Sequence, residues 1–215
     1  MVGAMIDEVG LIFEANSPSK NRDFGIIFID RFTVTGKPDY WIDLSLQKKE
    51  LASITPFSHN HGSWELVKGK DGSVEMEVMA LEHGEACTGN YFAKDVRAEG
   101  SVTLHRGGSA LISVSVQGAR RGYYAGFHGG ELGIFKHDRG VFTALAAKPY
   151  ICELERTYAL TLEVRGKLLR LSLDDKQVLE VEDASYGYGM VGYAVYEGGR
   201  VGFGSLRVKE QEEQK

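Results

Sequence analysis

Apolar and polar residues alternate one by one over much of this chain, and this period restricts its fold more than any other feature. It is seen in VEMEVMA (74–80), ALISVSV (110–116), ALTLEV (159–164) and LLRLSL (168–173). Successive side chains of a β-strand point to opposite faces, so this is the period of half-buried strands. Ser113 and Ser115 are expected on the polar face. Only residues 149–155 resemble a helical turn.

Short turn-forming runs separate the alternating stretches. They include HRGGS (105–109), FHGGE (127–131), KHDRG (136–140), VRGK (164–167) and LDDK (173–176). Glycine, with 27 residues, supplies the backbone conformations that tight turns need. Many short strands joined by such turns predict an all-β, antiparallel two-sheet jelly-roll sandwich over residues 44–209.

The N-terminal segment shows an internal similarity to the end of the predicted sandwich. Ile27 and Ile29 correspond in apolar position to Val201 and Phe203. We therefore predict that residues 1–43 form an extra β-hairpin followed by a linker. The hairpin is either docked on the sandwich or the tail of an earlier one. Residues 210–215 are predicted to be a charged tail.

Charge and hydropathy exclude several classes of partner. The net charge is −5, which gives no electrostatic reason to bind nucleic acid. No apolar run reaches the length of a membrane span. The start, MVGAMIDEVG, lacks the pattern of a signal peptide, so we expect a cytoplasmic protein. Cys87 and Cys152 lack metal-site spacing and are expected to be separate free thiols.

The acidic stretch SLDDKQVLEVED (172–183) has two interpretations, a metal or catalytic site and a hairpin tip. Asp174 and Asp175 lie between two alternating runs, where short carboxylates favour tight turns. Glu180 and Glu182 alternate with apolar residues and are expected to face water. We predict an exposed hairpin tip without metal or catalysis. Calcium is the competing possibility, because acidic loops supply the oxygen ligands it prefers.

The search for catalytic residues gives one carboxylate pair. Glu75 and Glu77 share a strand face at a separation of about 7 Å, near that of retaining glycosidases. Their surroundings read as an ordinary outward face. His59 and His61 have a spacing that could hold a metal, but two ligands without a nearby carboxylate make a weak site, and a turn before Trp64 explains them better. We therefore predict no catalytic residue, no metal ligand and no cofactor.

The best candidate for ligand binding is QGARRGYYAGFH (117–128). Alternation places Arg120, Tyr124 and His128 on one face, with Tyr123 and Phe127 on the other. Ligand sites combine apolar walls with a few polar groups, and glycines beside the aromatic residues leave space for a groove. We predict ligand contacts from Arg120, Tyr124 and His128, joined by the loop residues Tyr91, Tyr186 and Tyr188. The alternative is that one tyrosine fills the core and the other covers an edge.

Two segments resemble a known family. RGYYAGFHGGELGIFKHDRGVFTALA (121–146) and the stretch from YALTLEV to VGYAVY (158–196) resemble the concanavalin A-like lectin/glucanase jelly rolls, which include laminin G-like modules. The resemblance covers residues 44–209 and implies the fold. It implies less about function, because this fold hosts lectins, laminin G-like modules and glycosidases.

A narrower resemblance concerns HGSWEL, TGNYFAKDV and VQGARRGYYAGF. These look like the accessory β-domain at the C-terminus of some bacterial ADP-ribosylglycohydrolase-family proteins. The likeness implies a hydrolase domain of the same protein as partner, with a galactose-binding-like sandwich before this one. The expected function is a non-catalytic domain that binds carbohydrate or a glycoconjugate. The alternatives are a structural domain for oligomerisation or packing on an absent catalytic domain, and a glycoside hydrolase.

Overall fold

The computed structural model describes residues 39–50, 53–69 and 72–210. In these ranges the chain forms short strands and a three-residue 3-10 helix at Leu44–Leu46. The strands, in chain order, are β1 (Asp39–Ile42), β2 (Lys49–Glu50), β3 (Ser53–Ile54), β4 (Ser58–Asn60), β5 (Ser63–Lys68), β6 (Val74–Ala80), β7 (His83–Thr88), β8 (Val96–Arg106), β9 (Ala110–Gly118), β10 (Arg121–His128), β11 (Glu131–Asp138), β12 (Val141–Pro149), β13 (Thr157–Arg165), β14 (Leu168–Leu173), β15 (Lys176–Glu182), β16 (Met190–Tyr196), β17 (Gly199–Phe203) and β18 (Leu206–Glu210).

Two antiparallel sheets make up the sandwich. Sheet 1 has the order β15-β14-β13-β8-β17-β6-β5. In it, β18 follows β17 along the same edge of the long strand β8, and β1 pairs with β18. Sheet 2 has the order β12-β11-β10-β9-β16-β7-β4, and β2 and β3 pair separately. The predicted all-β, two-sheet antiparallel fold is confirmed.

The predicted alternation places one face of each sheet in a common core. The inward residues of sheet 1 include Met76, Val78, Leu160, Leu162, Leu169 and Leu171. Those of sheet 2 include Ile112, Val114, Tyr123, Ile134 and Tyr193. Removing such apolar surface from water is the main force that holds two sheets together.

The outer face of sheet 1 carries charged side chains. Glu163 on β13 forms ion pairs with Arg97 on β8 and with Arg170 on β14, and Arg170 also pairs with Glu180. Exposed pairs of this kind contribute little to stability, typically about 0–1 kcal/mol each. This face has the character of a solvated surface.

The outer face of sheet 2 is different, because part of it is buried. Leu111, Tyr124, Phe135, Ala194 and Tyr196 form a second apolar cluster there. The polar face of β9 is covered as well, since Ser113 and Ser115 are both buried. Alternation assigned the faces of β9 correctly, but its polar face does not meet water.

Phe142 of β12 packs on this cluster, and the tip of the β9–β10 hairpin lies over another part of the same face. β9 is irregular near its end: Ser115 has a φ of 52°, and the pairing register shifts against both β10 and β16. The backbone N–H of Arg120, in the hairpin turn, donates to the side chain of Glu85 on β7 at 3.0 Å. Because β16 lies between β9 and β7, the hairpin tip must reach across the outer face of sheet 2.

Most of the predicted N-terminal hairpin lies outside the described residues. Residues 39–42, at the end of that predicted segment, form β1 and pair with β18, so the sandwich begins no later than residue 39. A helical turn was predicted at residues 149–155. In the structure Pro149 ends β12, and the residues after it form irregular chain with a turn at residues 154–155. The described part of the chain contains no helix that could cross a membrane.

The acidic stretch forms the hairpin between β14 and β15. Asp174 and Asp175 have φ values of 47° and 63°, the two consecutive positive values that a type I′ turn requires. Both side chains are exposed, as predicted. Asp174 also accepts a hydrogen bond from the Ala159 N–H at 3.0 Å, so its Oδ1 joins the hairpin tip to β13.

The double substitution Asp174→Asn, Asp175→Gly should change the free energy of unfolding by no more than about 0.5 kcal/mol, the usual range for surface changes. Asn-Gly is a favoured type I′ pair, and the asparagine oxygen still accepts from Ala159. Urea denaturation checks the stability, and thermal melts with and without millimolar calcium check for a bound ion. A calcium-dependent rise in melting temperature that the double variant abolishes would show a metal site instead of a turn.

Candidate functional site

A buried carboxylate lies on the outer face of sheet 2, on the strand next to the edge strand β4. Glu85 on β7 is 2% exposed. It accepts a hydrogen bond from the Tyr124 hydroxyl and another from the Arg120 N–H at 3.0 Å. Burial raises the pKa of Glu85, and the two hydrogen bonds and the Arg120 charge oppose that rise. Glu85 thus attaches the tip of the β9–β10 hairpin to β7.

The Arg120 side chain continues from this anchor to His83, the first residue of β7. Its Nε lies 3.2 Å from His83 Nε2, and its Nη2 contacts His83 Nδ1. Burial and the Arg120 charge lower the pKa of His83 to about 4, so the imidazole is neutral near pH 7. The His61 ring packs on His83 with 4.4 Å between centroids. No carboxylate among the described residues forms an ion pair with the Arg120 guanidinium.

These groups form one side of an open pocket of ≈ 580 Å³. His61, Glu82, His83 and Arg120 supply polar groups, and Met79 and Leu81 supply apolar surface. Leu81 is 97% exposed, and its side chain projects beside the pocket. A few polar groups between apolar walls are typical of small-ligand sites.

His128 lies apart from this pocket. It lines a smaller cavity of ≈ 280 Å³ together with Phe127, Tyr150 and Cys152. Its ring packs on Phe142 with 4.8 Å between centroids, and its Nε2 lies 3.7 Å from Glu197. Alternation placed His128 on the same face as Arg120 and Tyr124. In the structure, however, His128 and Arg120 line two different pockets.

Two predicted contact residues are buried. Tyr124 is 0% exposed, and its ring packs against Phe142 and Tyr196. Tyr186 is 3% exposed, and its hydroxyl donates to the His137 carbonyl at 2.9 Å. Neither ring offers a face to a ligand in this arrangement: Tyr124 supports Glu85 from beneath, and Tyr186 packs in the core against Tyr123.

Tyr91 and Tyr188 are brought together with Phe92, which the sequence analysis did not single out. Phe92 packs on Tyr91 with 5.2 Å between centroids and on Tyr188 with 6.2 Å. Tyr91 and Tyr188 are 5.6 Å apart. Phe92 is 72% exposed and Tyr91 38%. We call these three residues the aromatic triad.

Sequence reasoning also missed His83 and Glu85. The only signal was HGEACT (83–88), where polar side chains alternate with small ones at strand period. Such a run is typical of a strand face that points to water. His83 and Glu85 become part of a site because the β9–β10 hairpin brings Arg120 to them. Phe92 had a clearer signal, because it adjoins Tyr91 in the same loop.

The other polar pairs considered for chemistry lie elsewhere. Glu77 pairs with Arg200 at 2.8 Å and Glu75 with His105 at 3.4 Å, both on the outer face of sheet 1. His59 packs on Trp64, whereas His61 packs on His83. In the described ranges, no three His, Cys, Asp or Glu side chains cluster as a metal site would require.

The cysteines are separate thiols. Cys87 lies on β7 and Cys152 in the loop between β12 and β13, and neither forms a disulfide. Burial raises the pKa of both thiols. A raised pKa keeps a thiol protonated and therefore poorly nucleophilic near neutral pH.

The chain is similar to a known protein in sequence and to several solved structures in fold. No protein-family profile matches the chain. The levanase of Bacillus subtilis (strain 168) is 24% identical over 163 residues, which are 69% of this chain and 23% of the levanase. The chain therefore spans about a quarter of that relative's length.

Several solved structures superimpose on the sandwich. The carbohydrate-binding module CBM66 from Bacillus subtilis has a TM-score of 0.62 at 18% identity and covers 73% of this chain and 96% of the module. The lumenal domain of VIP36, bound to calcium and Man3GlcNAc, has a TM-score of 0.54 at 10% identity. The match covers 74% of this chain and 86% of that domain. The β-glucanase of Bacillus licheniformis has a TM-score of 0.54 at 6% identity. The match covers 80% of this chain and 98% of the glucanase. The chain thus shares the two-sheet jelly-roll fold of these three proteins.

Proposed function

We propose that this chain is a non-catalytic accessory domain that binds carbohydrate in the Arg120–His83 pocket. One observation carries the proposal. The Arg120 guanidinium is held in an open pocket against a neutral imidazole, and no described carboxylate forms an ion pair with it. A fixed arginine of this kind retains donors for a ligand, because the guanidinium has five N–H groups.

The lining of the pocket suits a sugar. Arg120 donates to hydroxyl or ring oxygens, Glu82 accepts from hydroxyls, and the His61 imidazole can accept from one hydroxyl and donate to another. Met79 and Leu81 offer apolar surface to the C–H face of a ring. Hydrogen bonds that involve a charged group are stronger than neutral ones and direct the orientation of the ligand.

The carboxylates of the pocket favour binding over hydrolysis. Glycosidases generally place two carboxyl groups on either side of the bond they cleave. Glu82 is the carboxylate among the residues described as lining the pocket. Glu85 is engaged below the surface by Tyr124 and Arg120. The arrangement therefore lacks the second reacting carboxyl group.

The relatives suggest the first ligands to test. The levanase name points to levan and its fructose units, and the lectin-like fold justifies a wider array of glycans. The resemblance seen in the sequence suggests an ADP-ribosylglycohydrolase-type parent. The comparisons give that parent no support, so ADP-ribose enters the array as a second class of ligand.

The substitution Arg120→Ala should weaken sugar binding by about tenfold to a hundredfold, because a hydrogen bond to a charged group contributes about 1.5–3 kcal/mol. The backbone N–H that Glu85 accepts from is kept, so the hairpin should stay in place. A glycan array that includes levan and ADP-ribose identifies the ligand, and titration calorimetry measures its affinity.

The matched control is Arg139→Ala. Arg139 lies in the neighbouring β11–β12 hairpin, also with a positive φ, and its side chain is almost fully exposed. This control should bind as the wild type does. The proposal fails if the wild-type chain binds no glycan, or if the two arginine variants bind equally well.

A further inference from the structure

The aromatic triad is an exposed apolar surface that the pocket does not use. Tyr91 and Phe92 lie in the loop between β7 and β8, and Tyr188 lies in the loop between β15 and β16. The rings contact one another edge-on and face-on, so each restricts the others. Phe92 and Tyr91 together present a contiguous aromatic surface to solvent.

Backbone contacts hold the two loops in a defined position. The Gly189 N–H donates to the Ala93 carbonyl at 3.1 Å, which joins one loop to the other. The Gln117 side chain donates to the Tyr188 carbonyl at 3.0 Å. The triad is thus attached to the same β9–β10 hairpin that carries Arg120 into the pocket.

The triad and the pocket lie at opposite ends of β7. His83, the first residue of β7, lines the pocket, and the loop with Tyr91 and Phe92 follows its last residue, Thr88. Five residue steps along a strand span about 17 Å. This length accommodates a short oligosaccharide, whereas a single sugar ring could not contact both ends.

We propose that the aromatic triad binds further sugar units of the same oligosaccharide whose one end occupies the Arg120–His83 pocket. This inference rests on the proposed function and extends it from one sugar to a chain of sugars. The C–H faces of sugar rings pack on aromatic rings, and the triad presents such rings already ordered. Ordering before binding reduces the entropic cost of association.

The test compares ligands of different length on the full chain. Titration calorimetry would use fructose, levan oligosaccharides of increasing length, and levan. The variants are Tyr91→Ala with Phe92→Ala, and separately Tyr188→Ala. The matched control is Trp41→Ala, because Trp41 is an exposed aromatic residue on sheet 1. Melting temperatures would show that each variant is folded.

The double variant should bind fructose as the wild type does and bind the longer oligosaccharides about tenfold more weakly, as expected for losing well-placed aromatic contacts. Tyr188→Ala should act in the same direction. Trp41→Ala should bind all ligands normally, and Arg120→Ala should weaken the binding of every length.

Two results would overturn this inference and leave the proposed function standing. One is a wild-type affinity that does not rise with oligosaccharide length. The other is a double variant with unchanged affinity for every length, which would assign the triad to a protein partner. If the wild-type chain binds none of these sugars and no glycan of the array, the proposed function fails as well.

Discussion

Replacing Tyr124 with alanine should lower the free energy of unfolding by about 3–5 kcal/mol, the usual cost of removing a large aromatic side chain from a packed site. Tyr124 is fully buried against Phe142 and Tyr196, although it lies on the outer face of sheet 2. Its hydroxyl also donates to Glu85, so the substitution leaves a buried carboxylate with one donor fewer. Urea denaturation followed by near-UV circular dichroism measures the loss.

Tyr124→Phe is the matched control for this prediction. It keeps the packed ring and removes only the hydroxyl, so it should cost about 1–3 kcal/mol. If Tyr124→Ala instead left the stability near that of the wild type, the ring would not be packed. Tyr124 would then be available as the stacking platform that the sequence pattern suggests.

The second large effect is expected at Asp183, which follows β15. Its Oδ1 accepts from the Tyr123 hydroxyl at 2.6 Å and the Ser185 N–H at 2.8 Å, and its Oδ2 accepts from Lys136 at 2.7 Å. Asp183→Ala removes this charged acceptor and leaves the Tyr123 hydroxyl and the Lys136 ammonium group with neutral acceptors, the backbone carbonyl of residue 183 and Ser185 Oγ. We expect a loss of about 3 kcal/mol in the free energy of unfolding, as for breaking a partly buried ion pair.

Asp183 also predicts how stability depends on pH. Burial raises its pKa, but the hydrogen bonds from Lys136, Ser185 and Tyr123 outweigh burial and hold it well below 3.8. The folded state therefore favours the ionised form, and this contribution is present above the unfolded pKa. It is lost as the pH falls below about 4.

Urea denaturation between pH 7 and pH 2 tests both statements about Asp183. The wild type should lose stability below pH 4 more steeply than Asp183→Ala. Glu182→Ala is the control, because Glu182 is the exposed neighbour and pairs with Lys167 at the surface. Equal acid slopes for the wild type and Asp183→Ala would contradict the assigned role.

Local pattern predicted the elements that depend only on neighbouring residues. The inward positions Leu160, Leu162, Leu169 and Leu171 follow directly from a two-residue period, because a register slip by one residue would expose them all. The Asp174–Asp175 turn was predictable for the same reason, since its two residues and the flanking strands are contiguous.

The candidate site could be predicted only in part. Alternation assigned Tyr123 to one face and Tyr124 to the other, and the structure agrees. Alternation could not show that Tyr124 is buried, because Tyr124 lies on the outer face of sheet 2, where exposure to water is expected. The pairing of Tyr91 with Tyr188 likewise depends on two loops about a hundred residues apart in sequence, which strand pairing brings to one end of sheet 2.

The sequence by itself determined the strand period, the tight turns and the identity of the core positions, because each of these follows from backbone geometry over a few residues. Only the tertiary structure decided which outward residues form a site. The Arg120 backbone reaches Glu85 across an intervening strand, although the two residues are 35 positions apart. That contact brings the guanidinium to His83, and it depends on sheet order and on the irregular end of β9.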